Sequence, residues 1–215
     1  LDNPTFIRTT DFAHIAAAQE LWRRCAENGD IEMREYEGLY CVGHEAFVTE
    51  KDLEGGICRD HQKEPEVVEE ENWFFRLSEY GGKIKEEIES ERLKIIPESR
   101  RNEILSLINE GLEDVSFSRP RKDLSGGIPV PNDPEHTIYV WCDALTNYIT
   151  ALGYGRGEEL MDFWPGIHVI GKDILRFHAA IWPAMLISAK LPLPKTILVH
   201  GMIISGGKKM SKTRG

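Results

Sequence analysis

The fold is decided by the stretch His168-Val-Ile-Gly-Lys-Asp173 and by the strand-like run Thr196-Ile-Leu-Val-His200 that follows it. The first stretch predicts a strand ending near Ile170, and the apolar residues from about 173 to 189 predict a helix with a kink at Pro183. A strand, a helix and a second strand of these lengths favour a parallel sheet. Because ligands of such sheets bind where strands end, we expect the site beyond the carboxyl ends of these two strands.

The same alternation of strand and helix occurs nearer the N-terminus and again before this stretch. Phe6-Ile-Arg-Thr-Thr10 predicts a strand, and the apolar spacing of residues 12–25 predicts a helix ending at Gly29. Thr137-Ile-Tyr-Val-Trp141 predicts another strand, with a helix from about residue 143 to 152. The chain therefore predicts an α/β fold.

A segment with a different sequence pattern separates these parts. From Ile31 to about Ile128 it carries short strand-like pieces, Cys/His pairs and one predicted helix around Ile104 and Ile108. We interpret it as an inserted module. The predicted domains are residues 1–30, the first part of the α/β domain; residues 31–133, the inserted module; and residues 134–215, the second half of the α/β domain.

Composition excludes several classes of protein. The 215 residues are 41% hydrophobic and contain four cysteines, a count that does not resemble a secreted disulfide scaffold. No apolar run has the length of a membrane span, so we expect an intracellular, cytoplasmic protein. The net charge of −10 disfavours a broad nucleic-acid surface. Residues 200–215 are nevertheless basic, which favours a small anionic ligand there.

Two Cys-x-x-His pairs lie in the inserted module, Cys41-Val-Gly-His44 and Cys58-Arg-Asp-His61. Two thiolates and two imidazoles can form the tetrahedral shell of a structural Zn²⁺, and two-residue gaps let each pair contact one side of the ion. Alternatively, the cysteines are buried small residues and the histidines are on the surface. The repeated pairing favours zinc in a knuckle over residues 41–61.

The chain ends in a loop rich in glycine and lysine, Gly206-Gly-Lys-Lys-Met-Ser-Lys-Thr-Arg-Gly215. A mobile loop of this kind can bring several donors onto a polyphosphate, although a solvated basic tail has the same composition. Its Lys209-Met-Ser-Lys-Thr213 segment resembles the KMSKS signature of class I aminoacyl-tRNA synthetases, which makes Lys209 and Lys212 candidate catalytic residues.

Two further groups of residues are candidate binding sites. Gly171 and Asp173 stand where a strand ends and a helix begins, where Asp173 could cap the helix or bind sugar hydroxyls. Trp141, Tyr148 and His178 could surround a flexible thioether, since aromatic rings make favourable contacts with sulfur. Taken alone, these aromatic residues would be interpreted as core and His178 as a hydrogen-bonded core histidine.

Together these motifs resemble the methionyl-tRNA synthetases over nearly the whole chain. The segments that carry the resemblance are Phe6–Thr10, Tyr36–Cys41, Trp73–Arg76, Arg101–Glu103, Ser116–Pro120, Tyr139–Ala144, Gly171–Ile174, Phe177–Ala179, Trp182–Leu186 and Lys209–Thr213.

The resemblance implies a class I nucleotide-binding (Rossmann-like) parallel sheet interrupted by a connective module with a zinc knuckle. It implies that methionine attacks the α-phosphorus of ATP, supplied with Mg²⁺, and that the methionyl group passes from methionyl-adenylate to tRNA(Met). By position, the implied ATP-binding residues are Gly171, Asp173, His200, Ile203 and Lys212. The implied methionine-binding residues are Trp141, Ala144, Tyr148, Ile174 and His178. The implied metal ligands are Cys41, His44, Cys58 and His61.

Three departures from the family pattern accompany the resemblance. The family's first nucleotide-binding signature, His-x-Gly-His, and its helical anticodon-binding domain are not in this sequence, so the chain tested alone is expected to be nearly inactive. His44 stands where relatives more often have cysteine.

Two rival interpretations remain at this point. One is a zinc-stabilised interaction module without catalysis. The other is a class I synthetase for another apolar amino acid, but those for leucine, isoleucine and valine carry a large editing insertion for which this chain has no room.

Overall fold

The computed structural model describes residues 6–42, 46–49, 52–59, 62–122, 126–157, 160–202, 204–205 and 208–209. Its α-helices are α1 (Phe12–Glu27), α2 (Gly81–Glu89), α3 (Glu98–Glu110), α4 (Val140–Thr150) and α5 (Trp182–Ser188). Short 3-10 turns span Leu77–Tyr80, Met161–Phe163 and Lys172–Ile174, and a π-helix spans Phe177–Ile181. None of the helices formed by the described residues is long and apolar enough to cross a membrane.

The strands are short outside one long ribbon. They are β1 (Ile31–Cys41), β2 (Ala46–Val48), β3 (Leu53–Glu54), β4 (Ile57–Cys58), β5 (Glu66–Phe75), β6 (Lys94–Ile96), β7 (Val115–Ser116), β8 (Ser118–Pro120), β9 (Pro129–Val130), β10 (Asp133–Ile138), β11 (Ile167–Gly171), β12 (Thr196–His200), β13 (Ile204–Ser205) and β14 (Lys208–Lys209).

A parallel sheet in the order β11-β12-β6 contains the two strands predicted from the sequence. The third strand, β6, comes from within residues 31–133. That segment therefore contributes to the parallel sheet as well as forming its own antiparallel layers. The predicted domain boundaries remain predictions, but the segment is hydrogen-bonded to the α/β part through β6.

The antiparallel layers are built on the ribbon of β1 and β5, which pair from Ile31 opposite Phe75 to Tyr40 opposite Glu66. This ribbon lies in a sheet of order β2-β1-β5-β7, and a second sheet has the order β8-β10-β9. Two-stranded hairpins join β3 to β4 and β13 to β14.

One hydrophobic core unites these elements. Helix α1 contributes a buried stripe that includes Leu21 and Trp22, and Gly29 ends the turn after it with a φ of +83° that favours glycine. Trp22 contacts Phe117, which stacks on Phe75 with ring centroids 4.8 Å apart. Trp22 lies on α1, Phe75 on β5, and Phe117 between β7 and β8. The α/β part and the inserted segment therefore share one core.

A buried carboxylate connects the same parts by hydrogen bonds. Oδ2 of Asp30 accepts from the Tyr80 hydroxyl at 2.5 Å, from the Ser188 hydroxyl at 2.6 Å and from the Asn28 amide at 2.8 Å. Asp30 precedes β1, Tyr80 ends the 3-10 turn before α2, and Ser188 ends α5. One side chain thus links three elements that are far apart in sequence.

Several predicted elements are wrong in detail. Residues 6–10 form no strand and pair with none among the described residues, and Phe6 is 84% exposed. Trp141 is not in a strand, because β10 ends at Ile138 and α4 begins at Val140. Helix α2 was not predicted.

The helix predicted over 173–189 is divided into a 3-10 turn, a π-helix and α5. Pro183 has no N–H to donate to a carbonyl one turn earlier, and the π-helix lies directly before it. The kink predicted at Pro183 stays a prediction, and the feature described there is a change of helix type.

Candidate active site

The carboxyl ends of β11 and β12 meet where the sequence places the ATP site. Gly171 is the register partner of His200 in the parallel pair. Asp173 lies on the 3-10 turn that leaves β11, and a Cβ atom added at Gly171 would be only 2.7 Å from its Oδ1. Gly171, Asp173 and His200 are therefore brought together, as expected, and a side chain at position 171 would displace the carboxylate.

His200 lies at the exposed end of this edge. Its Nδ1 is 2.7 Å from the carbonyl oxygen of Gly201, so Nδ1 carries a hydrogen and donates to that oxygen. Ile203, another of the implied ATP-binding residues, lies outside the described residues.

The lysine loop begins as a hairpin just after β12. Ile204 pairs with Lys209 and Ser205 with Lys208. This pairing places the backbone of Lys209 in β14. Lys212 lies outside the described residues, so its contact with phosphate remains a prediction.

The predicted methionine-binding residues come together on α4 and on the segment after β11. Trp141, Ala144 and Tyr148 are three and four residues apart on α4, which places them on one helix face. Trp141 stacks on Phe177 with ring centroids 3.9 Å apart and planes 11° apart. Its ring also lies edge-on to His178, at 6.3 Å.

A hydrogen-bonded chain fixes the tautomer of His178. Nδ1 lies 2.9 Å from the carbonyl oxygen of Ile174 and must donate to it. Nε2 then accepts from the Tyr148 hydroxyl, 2.7 Å away. Because Tyr148 donates its only hydrogen to His178, its oxygen presents lone pairs to any neighbouring ligand.

Burial keeps this group of residues uncharged at neutral pH. It lowers the pKa of His178 despite the opposing hydrogen bond to Ile174, and it raises the pKa of Tyr148. Burial, followed by the neighbouring His178, lowers the pKa of His168 to about 4. An uncharged aromatic cluster suits an apolar thioether better than a charged side chain, and we refer to this cluster as the predicted methionine pocket.

The π-helix carries two residues of this group. Within it, Phe177 stacks on Trp141, and the ring of His178 contacts that of Tyr148. Single π turns occur frequently at functional sites, where they redirect side chains.

The sequence analysis missed four aromatic or histidine neighbours of this pocket. They are Trp164, His168, Phe177 and Trp182. Phe177 and Trp182 lie in segments that carry the family resemblance, which was the available signal. His168 alternates with exposed residues on β11, a pattern that indicates an inward-facing side chain.

A hydrogen bond that holds the pocket helix was also not predicted from the sequence. His14 on α1 is fully buried, and its Nε2 lies 2.6 Å from Oδ1 of Asp143. Asp143 is in the first turn of α4, next to Trp141 and Ala144. The pair therefore attaches the N-terminal end of the pocket helix to α1.

The structure describes half of the predicted zinc set. Cys41 ends β1 and Cys58 ends β4, and both are buried in one small cluster with Val48. His44 and His61 lie outside the described residues. Within the described ranges, no group of three or more His, Cys, Asp or Glu side chains is placed to hold a metal ion.

Comparison with known proteins identifies the family. The sequence model of a family described as "tRNA synthetases class I (M)" matches residues 1–64 and 48–215. A methionine–tRNA ligase of Caldanaerobacter subterraneus subsp. tengcongensis is 50% identical over 213 residues, which are 98% of this chain and 33% of that protein. The corresponding enzyme of Brucella suis is 48% identical over 219 residues, 99% of this chain and 42% of that protein.

A solved structure agrees with these matches. Methionyl-tRNA synthetase of Mycobacterium tuberculosis bound by methionyl-adenylate superposes with a TM-score of 0.88 at 41% identity, covering 100% of this chain and 43% of that one. The chain thus spans between a third and somewhat under half of the length of these relatives. Its sequence and its fold lead to the same conclusion: the chain belongs to the class I tRNA synthetase family whose methionine–tRNA ligases it resembles.

Proposed function

We propose that this protein activates L-methionine with ATP to form methionyl-adenylate and then transfers the methionyl group to tRNA(Met) in the cytoplasm. The observation that carries the proposal is the turn Lys172–Ile174. Asp173 on this turn is at the proposed nucleotide edge, and the next residue, Ile174, binds His178 of the aromatic pocket through its carbonyl. Two substrates bound on either side of one turn would have their reacting groups adjacent.

The proposed chemistry needs positioning more than a protein nucleophile. The methionine carboxylate attacks the α-phosphorus of ATP, the new C–O–P link forms, and the bond to pyrophosphate breaks. Asp173 would accept hydrogen bonds from the ribose, and the pocket of Trp141 and Tyr148 would hold the thioether. Lys209 and Lys212 would stabilise the charge on the departing pyrophosphate, together with Mg²⁺ bound to the ATP.

The proposed function is tested by methionine-dependent exchange of labelled pyrophosphate into ATP. We expect exchange by the intact protein with methionine and much less with leucine, isoleucine or valine. If methionine and every other amino acid fail to support exchange, the protein is a binding module and the proposal is wrong.

Replacement of Gly171 by alanine should weaken ATP binding with little loss of stability. The backbone at residue 171 has φ −73° and ψ 152°, which alanine adopts freely, but the added Cβ would be 2.7 Å from Oδ1 of Asp173. Because small displacements of positioning groups are costly, we expect KM for ATP to rise about tenfold. The matched control is Gly166→Ala, where an added Cβ meets nothing within 4 Å. An equal ATP KM in both variants would show that Asp173 is not at the nucleotide site.

We also propose that Cys41, His44, Cys58 and His61 bind a structural zinc ion. The support is that β1 and β4 bring Cys41 and Cys58 into one buried cluster, from residues 17 apart in the sequence. Two cysteine thiolates close together are good ligands for Zn²⁺. A bound zinc ion would also stabilise a cluster that buries little apolar area.

Metal analysis of protein purified without chelator should find about one equivalent of zinc. Cys58→Ala should lose most of it and make residues 41–61 more sensitive to protease, whereas Cys25→Ala should keep it, since Cys25 is buried in the main core. Less than about a tenth of an equivalent in the unmodified protein would exclude the zinc site.

A further inference from the structure

His168 occupies the centre of the aromatic cluster without belonging to the proposed methionine-binding set. It lies on β11, is 3% exposed, and has ring contacts with Tyr148, Trp164 and His178. A buried imidazole costs free energy unless its polar atoms are satisfied. An apolar residue would fill the same space more cheaply, so the choice of histidine requires an explanation.

The orientation of the His168 ring is fixed from one side by an indole. Nε1 of Trp182 lies 3.1 Å from Nε2 of His168. An indole N–H can only donate, so Nε2 of His168 is the acceptor and its hydrogen is on Nδ1. The imidazole is therefore neutral, and its plane is set by Trp182 at the start of α5.

The other side of the same ring packs on the pocket. The centroid of the His168 ring is 4.0 Å from that of Tyr148, with the planes 38° apart, which is the closest ring contact that Tyr148 makes among the described residues. The Tyr148 hydroxyl is held separately by His178. The tyrosine is thus fixed at two points, its hydroxyl by His178 and its ring by His168.

We propose that His168 is a positioning residue for amino-acid selection, which holds the Tyr148 ring against the methionine side chain by packing on it while Trp182 holds the imidazole. This inference rests on the proposed function. It predicts that loss of His168 acts on methionine binding through Tyr148, and that ATP binding at the other side of the turn Lys172–Ile174 is unaffected.

The test compares His168→Ala and His168→Phe in the intact enzyme by methionine-dependent pyrophosphate exchange. Because an aromatic pair contributes about 0.5–1.5 kcal/mol, His168→Ala should raise KM for methionine about threefold to tenfold with KM for ATP unchanged. Discrimination against norleucine should fall as well. His168→Phe keeps an aromatic face for Tyr148 and should restore the methionine KM, although stability falls because the Trp182 N–H loses its acceptor.

A double-mutant cycle shows whether the effect passes through Tyr148. If it does, His168→Ala adds no further increase in methionine KM in a Tyr148→Ala background. Phe117→Leu is the control for a general loss of packing, since Phe117 is buried in the core and, among the described residues, its ring contacts are with Trp22 and Phe75 and not with Tyr148 or His168. It should lower stability without changing selectivity.

The outcomes separate this inference from the proposed function. An unmodified enzyme without methionine-dependent exchange would overturn the proposed function. An active enzyme whose His168→Ala variant keeps its methionine KM and selectivity would overturn only the role of His168. Additive effects of the two substitutions, or a folded His168→Phe variant as impaired as His168→Ala, would also overturn it.

Discussion

Replacement of Asp173 by alanine is expected to lower kcat/KM for methionyl-adenylate formation about 100-fold, equal to about 3 kcal/mol. The carboxylate lies at the carboxyl edge of the parallel sheet, over Gly171 and close to His200. Each hydrogen bond from a sugar hydroxyl to a carboxylate contributes about 1.5–3 kcal/mol. Part of this free energy is lost when water takes the place of the carboxylate. Pyrophosphate exchange at varied ATP concentration measures the effect.

Asp162→Ala is the matched control for this substitution. Asp162 is also an exposed aspartate on a 3-10 turn, but its turn precedes β11 instead of following it. We expect unchanged exchange in that variant and unchanged thermal stability in both. If Asp173→Ala stays within about threefold of the unmodified enzyme, the ribose is bound elsewhere.

Replacement of Asp30 by alanine is expected to destabilise the fold by about 3 kcal/mol, the second large effect. It leaves the hydroxyls of Tyr80 and Ser188, both nearly fully buried, without their shared acceptor. In a chain of this size, we expect the midpoint of thermal unfolding to fall by roughly 10 °C. Glu27→Ala, an exposed acidic residue at the end of α1, should change stability by less than about 0.5 kcal/mol.

The stabilisation that Asp30 gives to the fold should be lost as pH falls. Burial alone would raise the pKa of this carboxyl, but hydrogen bonds from Asn28, Ser188 and Tyr80 outweigh burial and lower it below the ordinary value of 3.8. The unfolded chain therefore binds the proton first as pH falls, so the stabilisation is complete above about 3.8 and is lost at lower pH. The free energies of unfolding of the unmodified protein and of the Asp30→Ala variant should therefore become equal in acid. A constant difference down to the lowest pH at which both fold would contradict this account.

The parts of the fold that local pattern controls were predictable. The strands β11 and β12, the helix α1 and the parallel pairing follow from apolar spacing and chain order. The placement of β6 did not follow, because three residues of strand carry no signal for their partner. The end of β10 was also misplaced, since Trp141 suits a strand and a helix equally and only packing on Phe177 decides.

The residues of the candidate site also fall into those that the sequence predicts and those that it does not. Gly171 and Asp173 are predicted from their place at a strand end, whereas Tyr148 and His178 are predicted only through the family resemblance. His14 and Asp143 are 129 residues apart, and no spacing rule connects them. The contacts of His168 depend on the packing of β11 against α5, where Trp182 donates to its ring, and local sequence carries no signal for that packing.

The cross-strand pairing at the base of the ribbon has a consequence for protein engineering. Ile31 and Phe75 are directly opposite each other, as are Glu35 and Glu71 further along. Their Cα atoms are roughly 5 Å apart, so a tight turn could close the shortened ribbon at Glu35 and Glu71. The part of the ribbon beyond this pair, with the cysteine cluster, is therefore expected to be replaceable by a short turn. Residues 31–133 as a whole are not, because removing β6 would take an edge strand from the parallel sheet.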